Sequence, residues 1–142
     1  MTVPEASTTR HTAHGGVRHG ALVAYRWVLA ALLVDIAVQF FLAGLGVFGG
    51  GFDAHVVNSI VVSALAFVVL VLALVAHVGT RDVVLAAVLL LLVGLVQSVF
   101  RGLADEGAFW GGLHALDGLV ILGITGFLHG TAIRRLRSTP QP

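Results

Sequence analysis

Two short stretches of the sequence carry nearly the same residues, and each is followed by a histidine. Residues 38–45 read VQFFLAGL and residues 96–103 read VQSVFRGL. Gln39 and Gln97 are 58 residues apart, and the histidines that follow them, His55 and His114, are 59 apart. Each stretch ends one apolar segment and each histidine begins the next, which predicts a duplicated helix–loop–helix hairpin. The duplication places two imidazoles at one depth.

Two facing imidazoles in an apolar helical interior are typical of a haem site. His55 and His114 each begin a polar stripe on an otherwise apolar helix, and polar stripes of membrane spans face the bundle interior. Axial ligation of iron by histidines from two helices is a common arrangement for b-type haem. Haem b is therefore the predicted cofactor, with its iron as the metal. A divalent metal ion and purely structural hydrogen bonding are the alternatives.

Five further residues are predicted to complete the cofactor site. Gln39 and Gln97 come from the other two helices and lie at similar heights along them. Gly44 and Gly102 lack a Cβ atom and, together with Gly46, Gly94 and Gly118 within a few turns, would leave room for a macrocycle. Arg101 lies at the edge of the same region, where its charge would neutralise a haem propionate.

Two carboxylates are candidates for proton transfer or for the surroundings of the cofactor. Asp117 lies one helical turn after His114. Asp35 lies near the middle of the first apolar segment, where a carboxylate is costly unless it is paired, hydrated or protonated. Because Asp35 and Gln39 are at positions i and i+4, they suggest a proton or quinone path. The alternative is a protonated, structural Asp35, bonded to a neighbouring helix or to its copy in a dimer.

Two more histidines do not suggest a second haem. His77 lies 22 residues from His55, whereas His129 lies only 15 from His114. These separations put His77 and His129 at different depths along their helices. Each is instead predicted to lie at a helix C-terminus, where an imidazole meets free carbonyl groups and the negative end of the helix dipole.

The elements that must position these residues are membrane-spanning helices. The chain has 142 residues, of which 58% are hydrophobic and 11% charged, and its mean hydropathy is +1.01. This apolar content is typical of a bilayer protein. Four segments are long enough to span a bilayer: residues 27–47, 56–78, 83–99 and 113–133. The predicted fold is an all-α integral membrane four-helix bundle built from two duplicated helical hairpins.

The sequence contains no cysteine. This excludes disulfides, thiolate metal sites and c-type haem attachment.

The positions of the arginines predict the orientation. Seven of the eight precede the first span, lie between the second and third, or follow the fourth, and only Arg101 lies on the opposite side. The positive-inside rule then predicts a multi-pass protein of a bacterial cytoplasmic membrane with both termini in the cytoplasm. Residues 1–21 have no apolar signal segment and are predicted to be a disordered cytoplasmic tail. Residues 22–136 form the predicted transmembrane domain, and residues 137–142 a short cytoplasmic tail.

The repeated pattern Gln-x-x-x-Ala/Arg-Gly-Leu, followed by a short loop and a histidine that opens the next helix, resembles one half of the haem A synthase family of oxidase assembly proteins. In that family each four-helix half carries a facing histidine pair on its second and fourth helices, and by this likeness the pair matches His55 and His114. Residues 39–48, 52–55 and 113–118 look closer still to a family of small bacterial four-helix membrane proteins with no assigned function. The chain lacks the second half and the Glu and Cys elements of haem A synthase, so the resemblance implies haem binding only.

The predicted function is binding of b-type haem by two histidines in a membrane, for electron transfer or haem handling. The lipid bilayer and a membrane redox partner or quinone are the expected partners, a homo-oligomer is considered, and no nucleic acid is expected. Two alternatives belong to other classes. One is a non-catalytic membrane scaffold or accessory subunit whose polar stripes only connect helices. The other is a small transporter component in which Asp35 is the coupling acid.

Overall fold

Helices account for almost all of the described chain. The computed structural model describes the backbone of residues 6–138 and the side chains of residues 16–138. The helices are α1 (Ala6–Leu45), α2 (Asp53–Val75), α3 (Thr80–Leu91), α4 (Gln97–Leu103) and α5 (Ala108–Ser138). A π-helical turn, Leu92–Val96, joins α3 to α4 without a break, and α4 ends in a 3₁₀ turn, Ala104–Glu106.

Four segments of these helices are long and apolar enough to cross a membrane. In chain order they are Gly16–Gly50, Asp53–Val75, Thr80–Glu106 and Ala108–Ser138, with mean hydropathies of 2.3, 2.7, 2.8 and 1.5. At most 33% of any of their most apolar windows is buried inside the bundle, so the remaining apolar surface faces outward. Lipid is the medium that covers such a surface at low cost. The chain is therefore a multi-pass membrane protein, and the predicted all-α four-helix bundle is confirmed.

The four spans pack as a closed square. The first span contacts the second, the second the third, the third the fourth, and the fourth returns to the first. Because short turns connect them, neighbouring spans run antiparallel. The second and fourth spans, which carry His55 and His114, thus lie on one diagonal, and the first and third, which carry Gln39 and Gln97, lie on the other.

The bundle core combines leucines with small residues. Leu29, Leu32, Leu89 and Leu128 are fully buried. Fully buried alanines lie on the second, third and fourth spans: Ala66, Ala73, Ala86 and Ala132. Since no hydrophobic effect drives helices together within lipid, close backbone approach at such small residues and the dispersion contacts it permits hold the spans together.

The two ends of the bundle differ in chemistry. We call the end with the connections 46–52 and 104–107 the histidine end, because His55 and His114 follow these connections. We call the opposite end, with the turn 76–79, the arginine end.

At the histidine end the first connection needs its glycines: Gly49 and Gly51 have φ angles of +97° and +75°. A Cβ on Gly50 would lie 2.9 Å from the carbonyl oxygen of Leu45. Glycine tolerates both a positive φ angle and a backbone contact too close for a Cβ atom.

A carboxylate ties the fourth span to the third at the arginine end. Asp82 lies in the first turn of α3 and is only 1% exposed. Its two oxygens accept hydrogen bonds from Arg81, at 3.0 Å, and from Arg135 on α5, at 2.9 Å. A buried charge is tolerated when it is paired and hydrogen-bonded in this way. The contact therefore fixes the register of α3 against α5.

Helix α1 begins before the membrane span. Residues 6–21 were predicted to be part of a disordered tail, but α1 starts at Ala6 and continues through them. The residues from Gly16 to Gly20 are exposed, so packing against the bundle does not explain this extension. Once a span is helical, each added residue gains a backbone hydrogen bond without a new nucleation cost. At the other end, α5 likewise runs past residue 136 to Ser138. Residues 1–5 and 139–142 lie outside the described part of the chain.

Candidate functional site

The first half of the site connects the first span to the second. The side-chain amide of Gln39 donates to the carbonyl oxygen of His55 at 3.0 Å. In return, Nδ1 of His55 lies 3.1 Å from the backbone carbonyl oxygen of Gln39. Asn58, one turn further along α2, donates to Oε1 of Gln39 at 2.9 Å. The three side chains form a closed set of bonds between the two helices.

The second half repeats this arrangement between the third span and the fourth. The amide of Gln97 donates to the carbonyl oxygen of His114 at 2.9 Å, and Nδ1 of His114 lies 3.3 Å from the backbone carbonyl oxygen of Gln97. The place of the asparagine is taken by Asp117, whose Oδ2 accepts from the same amide at 3.0 Å. The sequence duplication is therefore a duplication of geometry, with an amide in one copy and a carboxylate in the other.

These bonds fix the tautomer of both imidazoles. A carbonyl oxygen can only accept, so the proton of each neutral ring lies on Nδ1 and the lone pair on Nε2. In His55 the amide nitrogen of Gln39 lies 3.5 Å from that Nε2. A histidine whose Nδ1–H donates to a backbone carbonyl is in the state that metal-binding histidines adopt, because Nε2 is then the ligating atom.

The two imidazoles face each other across the diagonal of the bundle. Their ring centroids are 6.1 Å apart and their planes are inclined by 63°. Two imidazoles that bind one metal from opposite sides, each at about 2 Å, have centroids roughly 6 Å apart. The observed centroid separation of His55 and His114 is close to this value, and the two rings are in edge-to-face contact with each other.

A cavity of about 170 Å³ lies beside the imidazoles and receives side chains from all four spans. Its polar lining includes Gln39, His55, Ser59, Gln97, Arg101 and His114. The lining is asymmetric, because Arg101 of the third span occupies the repeat position of Ala43 in the first. Of the residues predicted for the cofactor site, the two histidines, the two glutamines and Arg101 are brought together here.

The glycines predicted for the cofactor site do not all border the cavity. Gly44 and Gly102 do not line the cavity, and a Cβ on either would meet nothing within 4 Å. The close glycine is Gly118 on α5, where a Cβ would lie 3.2 Å from the ring of Phe40. Gly118 lies one turn after His114 and lines the cavity. Its position on the polar stripe was visible in the sequence, but its contact with Phe40 was not.

A π-helical turn precedes Gln97 and sets the direction of its side chain. It spans Leu92–Val96 and ends directly before Gln97, whereas α1 reaches Gln39 as regular α-helix. A π turn inserts an extra residue and rotates everything after it, and such turns often occur at functional sites. Within it, the carbonyl oxygen of Gly94 accepts the Ser98 hydroxyl at 2.7 Å. Nothing in the hydrophobic pattern of residues 83–99 predicts this turn.

The remaining candidates lie apart from the cavity. Asp35 is half-buried, does not line the cavity, and has one oxygen, Oδ2, that is enclosed with no hydrogen-bond partner among the described residues. His77 follows the end of α2, as predicted. The prediction that His129 ends a helix is wrong, because α5 continues to Ser138. The helix persists because the segment after His129 packs inside the bundle, with Ala132 fully buried.

The described residues offer two imidazoles to a metal but no third protein ligand beside them. No three His, Cys, Asp or Glu side chains of the described residues form a group that could hold a metal ion. A zinc or similar ion needs three or four protein ligands. A haem brings its own four nitrogen ligands, so two imidazoles are enough to complete the coordination of its iron.

Comparison of the chain with protein-family models, with curated proteins and with solved structures finds no match. The function of the site is therefore inferred from its geometry.

Proposed function

We propose that the protein is a membrane cytochrome-like protein that binds one b-type haem between His55 and His114. The observation that supports this most directly is the pair of imidazoles, 6.1 Å apart on diagonal spans. Each has its Nδ1 bonded to a backbone carbonyl, which puts the lone pair of each neutral ring on Nε2, the atom that would bind iron. At His55 the iron would replace the Gln39 amide nitrogen, which lies 3.5 Å from this Nε2. The two ligands come from the two copies of a repeat, which would explain why each hairpin carries a histidine near the start of its second helix.

The chain's own residues would orient and balance the cofactor. Gln39 and Gln97 hold the ring planes through their backbone carbonyls, while their amides tie each histidine to the neighbouring helix. Arg101 lines the cavity and is exposed, so its guanidinium can meet a propionate at the membrane surface. Gly118 lets the ring of Phe40 pack closely against α5 beside the cavity, where a Cβ would lie 3.2 Å from the ring.

Two histidine ligands favour electron transfer or haem handling over catalysis. Bound haem would supply reversible one-electron redox chemistry of its iron. If His55 and His114 both bound the iron, no ligand position would remain for a substrate. Because the outer surface of the bundle is apolar, a redox partner for this site would itself lie in the bilayer, such as a membrane protein or a quinone.

We infer the orientation from the charge distribution. Arg18, Arg26, Arg81 and the arginines at the end of α5 lie at the arginine end, and Arg101 lies at the histidine end. The positive-inside rule then places the arginine end in the cytoplasm of a bacterial cell and the haem site in the half of the membrane that faces away from the cytoplasm.

An absorption spectrum of the detergent-purified protein, produced with ample haem, tests the proposal. A low-spin haem with two imidazole ligands should give a sharp Soret band and resolved α and β bands on reduction, at about one haem per chain. His55→Ala and His114→Ala should each abolish or convert this spectrum, because the iron loses an axial ligand. His77→Asn is the matched control, since His77 is exposed at the far end and asparagine tolerates its left-handed backbone.

A second candidate function is a membrane scaffold or accessory subunit without a cofactor. It is favoured by the bonds that the site residues already make to one another: Gln39, His55 and Asn58 satisfy each other, as do Gln97, His114 and Asp117. Such sets stabilise helix pairs without any ligand. Colourless protein from haem-supplied cells, or equal spectral losses in His77→Asn and His55→Ala, would favour the scaffold.

A further inference from the structure

An acidic side chain on the first span has no partner within the described part of the chain. Asp35 makes no hydrogen bond or ion pair with any residue that the structure describes. One of its oxygens, Oδ2, is enclosed, but the side chain as a whole is only half-buried, so Oδ1 reaches the surface of the bundle. Asp35 does not line the cavity beside the imidazoles. Its open oxygen therefore needs a partner from outside the bundle.

Hydrocarbon is the medium that surrounds this position. Trp27 is exposed near the start of the span, as is typical of a residue at the hydrocarbon boundary. Asp35 lies eight residues further along α1, about 12 Å deeper, which is close to the centre of a hydrocarbon layer roughly 30 Å thick. Lipid tails offer no hydrogen bond at this depth, so a carboxyl group there is kept neutral and needs a polar group from protein.

The face of α1 that carries Asp35 is otherwise apolar. Ala31 and Val38 lie one turn before and one turn after it, and both are exposed. Val28 and Leu42 continue the same stripe and are partly exposed. Successive members of this stripe are 3, 4, 3 and 4 residues apart, which is the spacing of a seam between two helices. A single polar residue in the middle of such a seam specifies which partner and which register the helix accepts.

A second copy of the chain has the chemistry that this face requires. Copies inserted in the same orientation hold their Asp35 residues at the same depth, and a two-fold axis along the membrane normal brings identical faces together. A neutral carboxyl group both donates and accepts a hydrogen bond, so two copies of Asp35 can satisfy each other. A different protein would have to present a polar group at this depth, whereas a second copy presents one by symmetry.

We propose that the protein forms a parallel homodimer through this face of α1, in which Oδ1 of one Asp35 donates to Oδ1 of its copy. Ala31 and Val38 would pack against their own copies on either side of the carboxyl pair. Hydrogen bonds between spans favour association in lipid, because the separated chains leave a polar group in hydrocarbon. The contact lies on the outside of the bundle and the imidazoles lie inside it, so the dimer does not depend on bound haem.

Disulfide formation in lipid vesicles tests which face is in contact, since the natural chain has no cysteine. Val38→Cys and Val57→Cys are a matched pair. Both valines are exposed, and they lie at nearly the same depth because Gln39 pairs with His55. Val57 follows His55 by two residues, which turns it to the side of α2 away from the first span. A membrane-permeant oxidant should link Val38→Cys chains into covalent dimers and Val57→Cys chains several-fold less.

Energy transfer between labelled chains in vesicles measures how much Asp35 contributes. Donor and acceptor dyes are attached to Ser138→Cys, an exposed position at the end of α5, and the protein is diluted with lipid. Asp35→Leu should raise the dissociation constant of the dimer about tenfold, the effect of one hydrogen bond between spans. Asp35→Asn should stay close to the wild type, because an amide also donates and accepts.

A second pair of variants tests the face without changing the carboxyl group. Ala31→Phe places a bulky ring in the seam and should weaken the dimer at least as much as Asp35→Leu. Ala64→Phe is its control, because Ala64 is also exposed but follows His55 by nine residues, two and a half turns, and so lies on the opposite side of α2 from this contact. Ala64→Phe should leave the dissociation constant unchanged.

Three results would overturn the dimer. Energy transfer that never exceeds the value for randomly mixed chains would mean that lipid alone covers Asp35. Equal cross-linking of Val38→Cys and Val57→Cys would mean random collision rather than a defined face. Association that is unchanged in Asp35→Leu would remove the carboxyl pair from the interface. None of these results depends on whether the protein binds haem.

Discussion

At the scale of single residues, each glutamine bonds to the histidine of the next span through both its side chain and its backbone. Its side-chain amide donates to the carbonyl of the histidine on the next span, while its own backbone carbonyl takes the Nδ1 proton of that histidine. Gln39 and Gln97 therefore hold the helices together and set the tautomer of the imidazoles. The same bonds are useful with a haem and without one, which is why the two candidate functions share one geometry.

Replacing either glutamine by leucine should destabilise the protein by about 1–3 kcal/mol. Gln39→Leu and Gln97→Leu each remove bonds between spans and leave polar groups, including Asn58 or Asp117, with a lost partner. Unfolding in mixed micelles with increasing SDS measures the loss. Ser98→Ala is the control, because the Ser98 hydroxyl bonds only within its own helical segment and its loss should cost less than about 0.5 kcal/mol. Equal losses in all three variants would mean that the amides do not hold the spans together.

At the scale of helices, α5 packs against the first span at Gly118. A Cβ at this position would lie 3.2 Å from the ring of Phe40. Gly123, one and a half turns further along α5, is exposed, and a Cβ there would meet nothing within 4 Å. The two glycines of one helix thus differ in whether they border the site.

Gly118→Leu should lower the haem content to well below half of one haem per chain. The leucine would displace the Phe40 ring and occupy part of the cavity, while enough folded protein for purification should remain because Phe40 is partly exposed at the lipid surface. Gly123→Leu, which adds the same side chain on the exposed face, should keep the haem content of the wild type. The pyridine haemochrome assay measures haem per chain. Full occupancy in Gly118→Leu would separate the haem from this cavity.

The sequence predicted the hairpins and the main members of the site because both follow from periodicity. Repeated spacing and polar stripes report which helix face a residue occupies. They do not report irregular backbone, so the π turn before Gln97 was missed. They also do not report distances between helices. For this reason the sequence predicted Gly44 and Gly102 at the cavity, where the structure does not place them, and did not predict the contact of Gly118 with Phe40. The bounds of α1 and α5 extended beyond the prediction because hydropathy marks the bilayer rather than the helix ends.

At the scale of the whole molecule, the two ends have separate roles. The arginine end is held by the buried Asp82 and carries all but one of the arginines. The histidine end holds Gln39, Gln97 and the cavity of about 170 Å³ that they line. A cofactor at the histidine end would therefore lie at the end of the bundle opposite most of the arginines.

Reporter fusions should show both termini and the turn 76–79 on the cytoplasmic side. Arginine is retained in short cytoplasmic segments during insertion, and seven of the eight arginines lie at the arginine end. A phosphatase or fluorescent reporter fused after Pro142, or inserted between Gly79 and Arg81, should therefore report cytoplasm, whereas a reporter at Gly50 should report the opposite side. These positions alternate because the four spans are antiparallel neighbours. A cytoplasmic signal from Gly50 would contradict the orientation, and the same signal from all three positions would contradict the four spans themselves.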